Sequence, residues 1–170
     1  MKVNEIKISE ELYHQFNILK NNKYIYRYTF PGTQIYNQLE FYSHGYLKEK
    51  ISKLILSEFE TAHPHSLTKA REYIFSTKKE LAEHLHIDQT VFEVMITECL
   101  LSSGKAEEYG KLLLQQMLVI GLQKYIDFIL QKKVKWKEQG KKNTIYSQRH
   151  LELPLLFINR YNIDVSSIVN

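Results

Sequence analysis

Hydrophobic residues recur through most of this chain at intervals of three and four positions, the spacing that gathers them on one side of an α-helix. Residues 46–60 follow this spacing closely, so we predict an amphipathic helix there. Residues 77–86 and 88–101 are predicted to form two short consecutive helices. The longest periodic run covers 105–137, and a single helix of that length would measure about 50 Å at 1.5 Å per residue. Because that exceeds the width of a small domain, we expect the helix to break near Gly121 or to serve in dimerisation.

In the first part of the chain, residues 3–8 alternate between apolar and polar and predict a short strand, and residues 10–20 predict a helix with Ser9 as its N-cap. Residues 23–30 carry aromatic side chains at a period of two, which is typical of a half-buried β-strand. The pair Pro31 and Gly32 favours a turn, and residues 35–41 are predicted to return as a second strand. The fold class we predict is therefore mainly α-helical with a small N-terminal β-hairpin. The positions that define the two strands are Tyr24, Tyr26, Tyr28 and Phe30, and then Ile35, Leu39 and Phe41.

Length and composition favour one compact domain of 170 residues with a core of its own. Hydrophobic residues make up 44% of the chain and charged residues 25%, which excludes a disordered protein. We divide the domain into an N-terminal cap over 1–45, a core over 46–104, and a C-terminal part over 105–170 that holds the long helix. The single Cys99 excludes a disulfide framework. With no signal peptide and no apolar membrane span in the pattern, we expect a cytoplasmic protein.

The segment 74–95 has the pattern of two short helices that cross closely. Thr77 and Glu80 have the spacing of a capping box, which starts a helix, and Asp88 is placed to cap the second helix. Ala82 is small enough to let the second helix cross over it. The residues that we predict to be buried together at this crossing are Leu81, Ala82, Leu85, Ile87, Phe92 and Met95.

This stretch resembles the helix-turn-helix of winged-helix regulators of the catabolite-activator type, and the order of elements over about residues 46–105 is also similar to a winged domain of plasmid replication initiators. The resemblance implies a helix-turn-helix or winged-helix-like core and a DNA-binding function, with helix 88–101 in a groove of duplex DNA. The chain departs from the regulators at His86, where they have a glycine in the turn, a position that often needs a positive φ. In addition, no alternating strand pair follows Gly104, so a wing is absent or displaced.

The excess positive charge of the chain is concentrated in one segment. Of a formal net charge of +4 for the whole chain, residues 132–142 alone contribute +5, because they hold six lysines and a single glutamate. Such a block meets nucleic acid or an acidic partner, or it is a solvated helix end whose lysines favour the negative pole of the helix dipole.

We therefore predict a small DNA-binding protein without enzymatic activity, either a transcriptional regulator or a plasmid or phage replication or control factor. It would bind duplex DNA as a homodimer. The two copies would contact each other through residues 105–130, because residues 112–120 are apolar nearly all round their helix, which is more than one core face can absorb. On the recognition helix, Gln89 could read adenine and Thr90 could hold a phosphate, whereas Glu93 would face a polyanion. The predicted DNA-binding residues are Lys78, Lys79, Gln89, Thr90, Glu93, Thr97, Lys105, Lys132, Lys133, Lys135, Lys137, Lys141 and Lys142.

The alternative is a protein of another class, a helical interaction factor such as an adaptor, an inhibitor or an immunity protein that binds an acidic partner protein. No catalytic residue, metal ligand or cofactor is predicted. His84 and His86 lie at a helix end, where side chains two positions apart diverge by roughly 200° and do not reach one metal ion. Cys99 falls on an apolar helix face and is predicted to be a core thiol.

Overall fold

The structure is a computed structural model that describes residues 32–59 and 64–138, and also His14 and Leu156. Side chains of the last helix are described as far as Phe128. Within these residues every regular element is a helix, which confirms the mainly α-helical class. The helices are α1 (Gln34–Glu58), α2 (Pro64–Ser76), α3 (Lys78–Leu85), α4 (Gln89–Leu101) and α5 (Lys105–Glu138).

Helix α1 begins earlier than the sequence pattern suggested. Residues 35–41, which we predicted as the return strand of a hairpin, are helical. The side chain of Thr33 caps the helix by accepting a hydrogen bond from the backbone N–H of Tyr36 at 3.2 Å. The buried positions of α1 then follow a helical period from Tyr36 to Ile55, so this side of the helix packs on the core. The return strand was therefore a wrong prediction, and the expected boundary at residue 45 falls inside α1. The strands predicted over 3–8 and 23–30 lie outside the described residues, as does the helix predicted over 10–20 apart from His14.

Helix α4 lies at the centre of the described fold. It packs against α1, α3 and α5, while α2 packs against both α1 and α5. One continuous cluster of apolar side chains joins all five helices. A helix with neighbours on three sides loses most of its surface to the core, and this position of α4 decides what the α3–α4 pair can do.

Helix α5 is continuous over 34 residues from Lys105 to Glu138, so the predicted break at Gly121 does not occur. Gly121 instead lies at a point where α5 approaches the backbone of α2 closely. A Cβ atom added at Gly121 would lie 2.4 Å from the Cα atom of Ile74 and 2.7 Å from its backbone nitrogen. Only a residue without a side chain permits two helix backbones to come so near, and the glycine therefore serves packing rather than a bend.

Candidate functional site

The turn between α3 and α4 has the geometry that the helix-turn-helix interpretation required. Helix α3 ends at His86, whose backbone is left-handed with φ 58° and ψ 41°. The N–H of His86 donates to the carbonyl of Glu83 at 3.2 Å, and the N–H of Ile87 donates to the carbonyl of Ala82 at 3.0 Å. This pair of bonds is the Schellman arrangement, which commonly has glycine at the left-handed position. The expected positive φ at His86 is thus confirmed.

The start of α4 agrees with the prediction, whereas the start of α3 does not. The carboxylate of Asp88 accepts a hydrogen bond from the N–H of Thr90 at 2.9 Å and caps α4. Thr77 makes no such cap, because its backbone is helical and its hydroxyl donates to the carbonyl of Ile74 at 2.6 Å. Glu80 pairs with Lys124 on α5. The predicted capping box is therefore wrong: only Thr77 separates α2 from α3, and its hydroxyl turns back to α2.

The crossing of α3 and α4 is buried as expected. Ala82 is 2% exposed, which is consistent with its role as the small residue under the crossing. Four of the other predicted core residues, namely Leu81, Leu85, Phe92 and Met95, are buried as well, and Ile87 is partly buried against the same cluster. The local two-helix unit is therefore present in the described fold.

The side of α4 that we predicted to face DNA is buried from Phe92 to Cys99, which corrects Glu93 and Thr97 as exposed reading residues. Every residue from Phe92 to Cys99 is buried. Glu93 is 7% exposed and Thr97 is fully buried, with its hydroxyl bonded to the carbonyl of Glu93 at 2.8 Å. Of the predicted reading residues, only Gln89 is exposed and Thr90 partly so, both in the first turn. These residues are buried because α1 and α5 pack on α4 and cover this side of the helix.

Glu93 is explained by its neighbours on three other helices. Its carboxylate pairs with the ammonium of Lys78 on α3 and lies 3.7 Å from Nδ1 of His44 on α1. The ring of Phe75 on α2 supports both partners: the Lys78 ammonium lies 4.0 Å from its centroid, and His44 meets it edge-on at 5.1 Å. A nearly buried carboxylate needs such partners. Lys78 is therefore committed to a pair inside the fold and is not free for phosphate.

Tyr36 extends this polar cluster at the start of α1. Burial raises the pKa of the Tyr36 phenol, and the negative charges of Glu40, Asp88 and Glu93 raise it further. The phenol therefore stays protonated at neutral pH. On the α1 side the cluster contains His44, 3.7 Å from the carboxylate of Glu93, and the buried Tyr36, so polar as well as apolar contacts join α1 to the α3–α4 corner.

The remaining basic residues do not converge on the α3–α4 corner. Lys79 is exposed on α3. Lys105 is exposed at the start of α5, which puts it beyond the opposite end of α4 from Gln89, about 20 Å along a 13-residue helix. The lysines of the basic segment fall into two groups: Lys132, Lys133, Lys135 and Lys137 lie on the last turns of α5, while Lys141 and Lys142 lie outside the described residues.

The apolar run of α5 was the ground for a predicted homodimer, and the chain itself buries it. Leu113, Leu114, Met117, Leu118 and Val119 are all buried. The described fold leaves only one large apolar residue of the run largely open, Leu112 at 45% exposure, with Ile120 partly buried. The premise that one core could not absorb this run is therefore wrong, because α5 packs against both α2 and α4.

The surface that the sequence interpretation missed lies on α1. The side of α1 that faces away from the core exposes four large apolar residues, and Phe41 is 89% exposed. We call this surface the outward face of α1. Assigning residues 35–41 to a strand concealed it, whereas a helical reading that continues the period of residues 47–59 back to residue 35 would have found it. The residues that define it are Ile35, Phe41, Tyr42 and Leu56.

Other kinds of site find no support in the described part of the chain. Among the described residues, no group of three or more His, Cys, Asp or Glu side chains lies close enough together to hold a metal ion. The same residues include no helix that combines the length and the apolar character of a membrane span. No protein family, curated protein sequence or solved structure matches the chain. Two features remain on which a function can rest: the outward face of α1, and the basic end of α5, which consists of Lys132, Lys133, Lys135 and Lys137 on its last turns.

Proposed function

We propose that this chain is a helical protein-interaction factor without enzymatic activity, and that the outward face of α1 is its binding surface. The observation that carries the proposal is the 89% exposure of Phe41 on a helix that also exposes Ile35, Tyr42 and Leu56. Single exposed apolar residues are common on proteins, but a group of large ones on one helix face is typical of a protein–protein interface. Aromatic side chains contribute most of the binding energy at such interfaces.

The burial of α4 favours this function over sequence-specific DNA binding. Reading bases requires side chains that project from a helix into the major groove. In this chain Glu93 and Thr97 project into the core, and Lys78 neutralises Glu93 rather than a phosphate. The lysines on the last turns of α5 would, under this proposal, supply charge complementarity to an acidic partner.

The test uses one substitution on the outward face and one matched control. Phe41→Glu places a charge in the middle of the face, and Leu112→Glu places the same charge at an exposed apolar position of α5. Both sites are exposed, so both variants should keep the fold, which circular dichroism checks. We expect the unaltered chain and Leu112→Glu to bind the same partner protein with equal affinity. The same purified partner should bind Phe41→Glu at least tenfold more weakly. Equal affinity of all three proteins for that partner would refute the proposal.

A second candidate function is sequence-independent binding of duplex DNA through the basic end of α5. The observation in its favour is that α5 stays helical through Lys132, Lys133, Lys135 and Lys137, so four cations lie on about two turns. If all four contact phosphates, changing them to glutamine should reduce the salt slope of log K by about 3.6. Gel shifts with random duplex DNA at two salt concentrations measure this slope. If the slope does not change, the lysines serve a protein partner or solubility.

A further inference from the structure

The outward face of α1 contains a regular line of residues along the helix. Ile35, Tyr42, Glu49 and Leu56 recur at intervals of seven, which keeps them on one side of a helix with a drift of only about 20° per interval. The line spans 21 residues, or about 32 Å along the axis. All four side chains are exposed, and Leu56 at the far end is 60% exposed. Residues spaced by seven lie on one side of a helix, and a second helix can pack along that side.

The charges on this line favour one orientation of a second identical helix. The line is apolar at both ends and carries Glu49 in its second half, where Lys53 next to the line pairs with it at 3.0 Å between the charged atoms. A parallel copy would place Glu49 opposite Glu49 and Lys53 opposite Lys53, and like charges directly opposite each other oppose association. An antiparallel copy avoids both repulsions.

Antiparallel pairing also matches the side chains on the line. If the two copies are related by a two-fold axis next to Gly45, Ile35 of one copy lies opposite Leu56 of the other, and Tyr42 lies opposite Glu49. The two ends then bury apolar groups against each other, and the Tyr42 hydroxyl donates to a carboxylate. Lys53 holds the pKa of Glu49 below its usual range through a hydrogen bond and its charge, so this acceptor is ionised at neutral pH. Nothing lies within 4 Å of a Cβ added at Gly45, so the centre of the line is open to a close approach.

From this geometry we infer that the outward face of α1 binds a second copy of this chain, with the two α1 helices antiparallel. The inference rests on the proposed function, because it names the partner of the same surface. It also moves the expected homodimer contact from residues 105–130, which the core buries, to α1. One helix face covers less area than the roughly 800 Å² per partner of a standard interface. Interfaces below this size are typical of weak, transient contacts, so the dimer is expected to form at about 10 to 500 µM rather than at nanomolar concentration.

The first experiment measures the molar mass of the full chain over this concentration range by sedimentation equilibrium. We expect a monomer–dimer equilibrium for the unaltered chain and for the control Leu112→Glu. For Leu56→Glu, which places a charge at an apolar end of the line, we expect a dissociation constant at least tenfold higher. The inference is overturned if the unaltered chain stays monomeric at about 500 µM, the upper end of the expected range. It is also overturned if Leu112→Glu dissociates the dimer while Leu56→Glu does not.

The second experiment tests orientation by disulfide trapping, and it does not depend on how much a charge destabilises the contact. The single native thiol, Cys99, is buried, so it does not compete with cysteines introduced on the surface. A mixture of the variants Ile35→Cys and Leu56→Cys should form a mixed disulfide on mild oxidation, because a disulfide needs Cα atoms within about 7 Å. A disulfide between two Ile35→Cys chains would indicate parallel helices, and the absence of any cross-link would place the interface elsewhere. Either result contradicts the inference.

Failure of this inference and failure of the proposed function give different results. If the chain does not self-associate, but Phe41→Glu still weakens the binding of another protein, the second copy is the wrong partner and the outward face remains a binding surface. If self-association does not depend on Leu56 and binding of another protein does not depend on Phe41, both are wrong.

Discussion

Replacing Gly121 with alanine tests the close contact between α5 and α2. The added Cβ atom would lie 2.4 Å from the Cα atom of Ile74, 2.7 Å from its backbone nitrogen and 2.8 Å from Cγ1. Two of these three atoms belong to the backbone of α2, so no side-chain rotation relieves the overlap. Because ordinary carbon contacts begin near 3.4 Å, the two helices must move apart by about 1 Å at this point.

The size of the effect follows from two opposing contributions. Overpacking that shifts backbone costs about 3 kcal/mol, at the upper end of the usual range. Alanine is a better helix former than glycine by about 1 kcal/mol. We therefore expect Gly121→Ala to lower the free energy of unfolding by about 2 kcal/mol. For a chain of this length that corresponds to a decrease in Tm of roughly 4–8 °C.

Two other glycines provide matched controls in helices of the same protein. At Gly45 in α1 no atom lies within 4 Å of an added Cβ, so Gly45→Ala should raise stability by about 0.5–1 kcal/mol. At Gly110 in α5 the nearest atoms are side-chain carbons of Cys99 and Leu100 at 3.1 Å. The Leu100 side chain can rotate away, whereas the Cβ of Cys99 is fixed to its backbone, and the overlap is smaller than at Gly121. Gly110→Ala should therefore fall between the other two variants. Urea denaturation at low micromolar concentration, followed by circular dichroism, gives all three values. A Gly121→Ala variant as stable as the unaltered chain would refute the close approach of α2 and α5.

Four further predictions follow from the α3–α4 region. Ala82→Leu should overpack the crossing and lower the free energy of unfolding by about 1–3 kcal/mol in urea denaturation; no loss would mean that the site is open. Lys78→Met leaves the buried carboxylate of Glu93 without its ammonium partner and should lower the free energy of unfolding by about 3 kcal/mol. The double variant Lys78→Met with Glu93→Gln should regain most of this stability, which thermal denaturation measures. His86→Gly removes the strain of a residue with a side chain in the left-handed conformation. It should raise the free energy of unfolding by about 1 kcal/mol, which is seen as a higher Tm. Burial raises the pKa of the Cys99 thiol from 9.0 to about 12. Between these values the thiol ionises only in the unfolded chain, so the free energy of unfolding should fall by up to about 1.4 kcal/mol per pH unit above pH 9. The variant Cys99→Ala should lack this decrease.

The sequence by itself determined the features that neighbouring residues control. The α3–α4 corner depends on bonds that span no more than five residues, such as the cap of Asp88 on Thr90 and the turn at His86. Its buried side follows from the three- and four-residue spacing of apolar positions. The mainly helical class followed from the same periodicity. These features were predictable because backbone geometry and local hydrogen bonds act over short stretches of chain.

The tertiary structure alone decided which sides of the helices meet solvent. A sequence pattern shows one apolar side of α4, but it does not show that α1 and α5 cover the other sides, since those helices come from distant parts of the chain. Glu93 looked like an exposed residue because its partners, Lys78 and His44, are 15 and 49 positions away. Gly121 looked like a break because Ile74, which requires its small size, is on another helix. Burial is a property of the whole packing arrangement, and for that reason the exposed apolar face of α1 could be located only when all five helices were in place.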